Sequence, residues 1–154
     1  MIQAVDWDHP DAVALREARR REIATIYGRE GSEPAGSEAT GDDIAVFLIA
    51  YDEDLAVGCG ALRVIDDAAG EIKRMYVVPS FRGNGTSTAI LRALESWATD
   101  NQLGVVRLET GDLLVAAQRF YEREGYQPIA AFGPYVGSRL SRCYETRLSP
   151  RTRP

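Results

Sequence analysis

Apolar positions along this chain follow two periods. Between Gly85 and Asp100, the residues Ile90, Leu91, Leu94, Trp97 and Ala98 recur at spacings of three and four, which predicts a helix with one buried face. Elsewhere, short runs rich in β-branched and aromatic residues stop at turn residues, which predicts strands over 2–5, 44–51, 55–65, 71–78, 104–110 and 143–148. Asp52-Glu53-Asp54 turns the second strand back on the third, and 66–70 leads into the fourth. Val78-Pro79 closes that fourth strand, because proline removes a backbone donor. Two more helices are predicted, over 10–23, where Pro10 and Asp11 suit a first turn, and over 114–124. The small residues of Gly58-Cys59-Gly60 mark a bulge or a close backbone approach. Residues 28–41 and 149–154 carry no period and are expected to form a loop and a tail.

Composition narrows the class. A chain of 154 residues is expected to form a single domain, 1–154, with a core of its own. Its net charge of −5 argues against a nucleic-acid partner, since such domains carry a basic excess, and suits cationic acceptors such as amines. Cys59 and Cys143 stand far apart with no neighbouring ligand pattern, so neither a zinc site nor a disulfide framework is expected, and no metal is called for. With no signal peptide at the start and its longest apolar run, 44–51, too short to span a bilayer, the expectation is a cytoplasmic protein that needs no membrane.

Candidate chemistry begins where the fourth strand meets the helix. Arg82-Gly83-Asn84-Gly85-Thr86-Ser87 opens that helix through glycines, and a helix opened in this way presents unpaired N–H groups and a positive dipole end to an anion. A Walker A loop would need Gly-Lys-Ser/Thr, but Thr86-Ser87 follows Gly85. A dinucleotide fingerprint would need a third glycine where Thr88 stands. What remains, with Val77-Val78-Pro79 before it, resembles the GNAT acyl-CoA N-acyltransferase superfamily, whose signature is Arg/Gln-x-x-Gly-x-Gly/Ala; Ser87 is the one departure. A second block, Leu108-Glu109-Thr110 followed by Ala117-Gln118-Arg119-Phe120-Tyr121-Glu122-Arg123-Glu124-Gly125-Tyr126, is similar to the family's downstream pattern.

The resemblance covers about 44–148 and implies an α/β (α+β) fold: a twisted, mixed, mostly antiparallel sheet splayed at its centre and flanked by helices. It implies direct transfer of an acetyl group from acetyl-CoA to a primary amine of a small molecule or peptide. The pyrophosphate of the donor would lie on Arg82, Gly83, Asn84, Gly85, Thr86 and Ser87, and its pantetheine arm along Met75, Tyr76 and Val77. Tyr121 would protonate the leaving thiolate. Glu109 or Glu71 would accept the amine proton, or would instead pair with an arginine such as Arg74 or Arg107. Tyr135, Ser138, Arg139 and Arg142, in a glycine-rich stretch with exposed-type aromatics, would contact the acceptor, and residues 28–41 would flank it as a lid. The resemblance also implies that an exposed last strand can pair two copies as a homodimer.

Other residues carry less. Leu114 stands where relatives have Asn or Gln on the cofactor. His9 reads as a surface residue, and Arg16, Arg19, Arg20 and Arg21 as a solvated helix face or an acidic-substrate contact. The competing reading is a non-catalytic acyl-CoA-binding sensor or regulatory module.

Overall fold

The computed structural model describes residues 1–28 and 40–150. In chain order the elements are β1 (Ile2–Ala4), α1 (Pro10–Tyr27), β2 (Val46–Asp52), β3 (Leu55–Val64), β4 (Ala69–Val77), α2 (Thr86–Asp100), β5 (Val105–Gly111), α3 (Val115–Arg123), β6 (Gln127–Ile129) and β7 (Ser141–Arg147). The strands form one sheet in the order β1-β2-β3-β4-β5-β7-β6. Every neighbouring pair is antiparallel except β4 and β5, which run parallel. No helix among the described residues is long and apolar enough to cross a membrane.

Alternation along the central strands feeds two cores. On β2, Leu48 and Ala50 point toward α2 and α3, where Ile90, Leu91, Leu94 and Ala98 meet Leu62, Ile72, Val106 and Leu108. Phe47 and Ile49 point the other way and join Ala12 and Leu15 of α1 with Cys59 and Ala61. A strand covered on both faces reads as a continuous apolar run, as β2 does. The approach of α2 to β3 depends on Gly60, where a Cβ would overlap the Met75 sulfur and the Ile90 side chain.

The helix α1 continues past residue 23 to Tyr27. It begins at His9, whose Nδ1 accepts the Asp11 backbone N–H at 3.1 Å, and stops at Gly28, which takes a left-handed φ of 72°. Only Ala12 and Leu15 are buried along it, so apolar spacing could not mark its end. The strand β6 escaped the sequence pattern because it has three residues, one of them Pro128. Its presence corrects the expectation of an exposed last strand: β6 pairs with β7 from Cys143 to Glu145, and the outer strands of the sheet are β1 and β6.

Two irregularities shape the middle of the sheet. The ladder between β4 and β5 runs from Ala69 opposite Val105 to Ile72 opposite Leu108 and then ends, while β4 stays paired with β3 and β5 with β7. Beyond Ile72 and Leu108 the two strands therefore diverge. On the other side of β4 the register shifts between Cys59 and Ala61, so that Arg74 and Met75 oppose Gly60 alone. Arg74 carries the bulge at a φ of 60°, and its carbonyl accepts from the Cys59 thiol at 3.2 Å.

Candidate active site

The divergence of β4 and β5 opens a cavity of about 680 Å³. One wall is β4 from Glu71 to Val77, the other is Glu109 and Thr110 with the start of α3, and Arg19, Glu22, Ile23 and Ile26 of α1 close it from above. Tyr27 fastens that roof: its hydroxyl donates to Asp112 Oδ1 at 2.9 Å and accepts the Leu113 N–H at 3.1 Å. Gly111 makes room for this, since a Cβ there would overlap the Tyr27 hydroxyl.

At one end lies the turn into α2. Gly83 and Gly85 have φ values of 81° and 88°, a region that glycine adopts without steric cost. A Cβ at either would meet nothing within 4 Å, so the space above the turn is open. Asn84 Oδ1 accepts from the Thr86 hydroxyl at 2.7 Å and from its N–H at 3.3 Å, which fixes the turn. Gly83, Ser87 and Arg82 line the cavity, whereas Asn84, Gly85 and Thr86 shape the turn from outside its wall. The open amide row fits a phosphate. The Arg82 guanidinium is turned aside, donating from Nε to Val77 O at 2.8 Å and from Nη2 to both Glu22 oxygens at 2.9 and 3.0 Å.

Tyr121 is the one buried residue of α3 and sits one turn after Ala117, with Phe120 packed edge-on against it. Its hydroxyl makes no hydrogen bond to the described residues. No buried side-chain N or O there lacks a partner, so this hydroxyl faces the cavity that Tyr121 lines. Burial pushes the phenol well above its ordinary range, and the charge of Arg19 pulls it back.

The two candidate carboxylates differ. Glu71 is 1% exposed. One of its oxygens accepts from Arg63 Nη2 at 2.7 Å and Nε at 3.2 Å, and the other from Tyr135 Oη at 2.5 Å. Lys73 Nζ stands 3.8 Å from that second oxygen and donates to Tyr135 Oη at 3.2 Å. The arginine beside Glu71 is thus Arg63, directly opposite it in the β3–β4 register, rather than Arg74 or Arg107; Arg107 Nε instead donates to Glu145 at 2.8 Å. Glu109 is half-buried and accepts from the Ser141 hydroxyl at 2.6 Å.

The cavity is lined by Tyr121, Glu109, Glu71, Met75, Tyr76, Val77, Arg82, Gly83, Ser87 and Tyr135. Tyr135 is buried at 3% exposure, in contrast to its reading as an exposed aromatic, because its hydroxyl anchors on Glu71 and Lys73. Ser138 stays behind Ser141. Arg139 and Arg142 are exposed and lie off the cavity wall: Arg142 alternates away from Ser141 along β7, and its guanidinium donates to the Arg139 and Ser141 carbonyls. The lid expected over 28–41 falls mostly outside the described residues.

The sequence profile of the acetyltransferase (GNAT) domain matches residues 43–128, more than half of the chain. The chain belongs to the GNAT acetyltransferase family. As a GNAT protein it is an acetyl-CoA-dependent N-acetyltransferase. The IAA acetyltransferase of Azospirillum brasilense is 30% identical over 137 residues, covering 88% of this chain and 90% of that one. A crystal structure described as an acyl-CoA N-acyltransferase from Klebsiella pneumoniae shares the fold with a TM-score of 0.82 at 31% identity over 97% of both chains. A GNAT family acetyltransferase from Elizabethkingia anophelis, crystallised with acetyl-CoA, superposes with a TM-score of 0.68 at 15% identity over 96% and 97% of the chains.

Within this GNAT domain, sequence reasoning missed Arg63, Lys73 and Tyr27, and named Arg19 only as one of an arginine run. Arg63 was within reach of a register count, since the short turn after β3 sets it opposite Glu71, and Lys73 follows on the same face. Of the arginine run on α1, Arg16 stacks 3.6 Å over the Trp7 ring and Arg20 pairs with Glu17, while Arg19 reaches the cavity. Leu114 lines the cavity with an apolar side chain, and His9 is confined to capping α1.

Proposed function

We propose that this GNAT protein transfers the acetyl group of acetyl-CoA by direct attack to a primary amine of a small molecule or peptide, with Glu109 as base and Tyr121 as acid. The observation that carries this reading is the Tyr121 hydroxyl, which faces the cavity with its proton held by burial. The amides of the α2 turn, with Gly83 and Ser87 at the wall, bind the donor pyrophosphate. Beyond the last rung with β5, the edge of β4 at Met75, Tyr76 and Val77 offers backbone groups to the pantetheine arm, as an added strand would use them. Glu109 takes a proton from the acceptor ammonium, and the neutral amine attacks the thioester carbonyl. As the C–N bond forms and the C–S bond breaks, Tyr121 gives its phenolic proton to the thiolate, which a neutral phenol can do at pH 7, and the second proton that the nitrogen sheds on becoming an amide restores the phenol.

Glu71 is a poor base because two cations and a phenol occupy its oxygens, and Glu109 belongs to the same sequence block as Tyr121. Direct transfer suits the cysteines: burial raises Cys59 to about 12 and Cys143 above its usual range, and neither lines the cavity. The test is release of free coenzyme A thiol from acetyl-CoA across small amines, amino acids, aminoglycosides, polyamines and peptide N-termini. IAA joins that panel because of the Azospirillum relative's name. Thiol release with an acceptor, lost in Tyr121→Phe without loss of acetyl-CoA affinity, supports the proposal. Binding of acetyl-CoA with no release for any acceptor would favour a sensor.

A further inference from the structure

Large apolar side chains left exposed one at a time are ordinary, whereas several gathered at one cavity mark a site for an apolar group. Among the described residues Ile26, Leu113 and Val115 are 44%, 53% and 48% exposed, and all three line the candidate active-site cavity. Other exposed aliphatics, Leu55, Val64 and Val136, lie off its wall. Ile23, about one turn before Ile26 on α1, and Leu114, between Leu113 and Val115, line the same cavity. Tyr27, next to Ile26, joins the two groups, because its hydroxyl accepts the Leu113 N–H at 3.1 Å. The end of α1 and the start of α3 thus form one apolar rim, which begins four residues after Glu109.

The transfer chemistry makes no use of this rim. Residues 29–39, which follow α1 in the sequence, include no apolar side chain larger than proline, so they offer it no large apolar cover. The cavity wall is also poorly suited to a polycation. Of its carboxylates, Glu22 is held by Arg82 and Glu71 by Arg63, so a second or third ammonium would have to displace an existing ion pair.

We infer that the acceptor is a monoamine with an apolar body, aromatic or branched aliphatic, which packs on Ile23, Ile26, Leu113, Leu114 and Val115 while its amino group reaches the thioester. The inference rests on the reading of this cavity as the site of transfer to an amine. An apolar body on an apolar rim takes both surfaces out of water, and the few polar groups further in fix which end of the acceptor reacts.

The test measures thiol release from acetyl-CoA by the full chain with phenethylamine and isopentylamine, which carry an apolar body, with ethanolamine, which lacks one, and with spermidine, a polycation. The first two show kcat/KM at least about ten-fold above the others. Ile26→Ser and Leu113→Ser, both at exposed positions where the fold tolerates a polar side chain, lower the phenethylamine-to-ethanolamine ratio about ten-fold at unchanged acetyl-CoA affinity. Leu55→Ser, off the cavity, leaves that ratio alone. Ethanolamine, spermidine or any other amine without an apolar body turned over as fast as phenethylamine, or a ratio that neither rim variant moves, overturns the inference and leaves transfer to an amine standing. A preference for hexanoyl-CoA over acetyl-CoA that Ile26→Ser abolishes assigns the rim to the acyl chain and overturns it too. Thiol release with no amine at all removes the transfer reading and the inference together.

Discussion

Glu71 and Glu109 stand on adjacent parallel strands, just inside and just beyond the last rung of their ladder, and Tyr135 feels the charge of both. Glu71 is enclosed, with Arg63, Lys73 and Tyr135 around its two oxygens. Glu109 lies where the strands have parted, half-buried, with a neutral hydroxyl on one oxygen. Both line the cavity. In our reading the end of β4–β5 pairing sets the same residue type to two tasks, the enclosed carboxylate as a structural anion and the one beyond the last rung as the base.

The comparison can be broken from the functional side first. Glu109→Gln removes a group proposed to act as general base, so kcat/KM falls about 100- to 10,000-fold while the thermal midpoint barely moves. Glu71→Ala has the opposite profile. It removes the carboxylate from beside a buried Lys73 and a half-buried Arg63, which costs about 3 kcal/mol and lowers the midpoint by roughly 10 °C in a thermal melt.

Smaller effects sharpen it. Tyr121→Phe lowers kcat about ten- to a hundred-fold at unchanged acetyl-CoA affinity. Because burial raises this phenol, its acid form persists, and kcat has no alkaline fall due to Tyr121 below about pH 10. The same sign governs stability. Burial raises Tyr121, Tyr126 and Tyr135, and the hydrogen bond to Asp11 takes Tyr51 to about 12. The fold binds these protons more tightly than the unfolded chain does. Their contribution is therefore complete below about pH 10 and is lost as pH climbs through the folded values. Phenolate absorbance and circular dichroism should then change together in one alkaline step. Least of all, Tyr27→Phe removes the two bonds that fasten α1 over the cavity and costs about 1 kcal/mol in a denaturant melt.

The residues legible in the sequence were those whose pattern is local. Ile90, Leu91, Leu94 and Ala98 announced α2, the glycines of its first turn marked the open turn at one end of the cavity, and Tyr121 and Glu109, which line that cavity, came with the downstream block. What the sequence hid depends on register and distance. Tyr135 comes onto Glu71 from 64 positions away, and Tyr27 reaches Asp112 from 85. The helix α1 gave no apolar boundary because it buries little, and β6 is too short to show alternation. Arg139 and Arg142 looked like acceptor contacts in a linear reading, but the alternation of β7 carries Arg142 to the other face.

The contrast between the two glutamates is tested most directly by thiol release from acetyl-CoA with the best acceptor, for the unaltered chain, Glu109→Gln and Glu71→Gln side by side, below the melting midpoint of each. The account predicts that Glu71→Gln keeps most of the turnover while Glu109→Gln loses it. Turnover retained by Glu109→Gln and lost by Glu71→Gln would contradict it and move the base to the enclosed carboxylate.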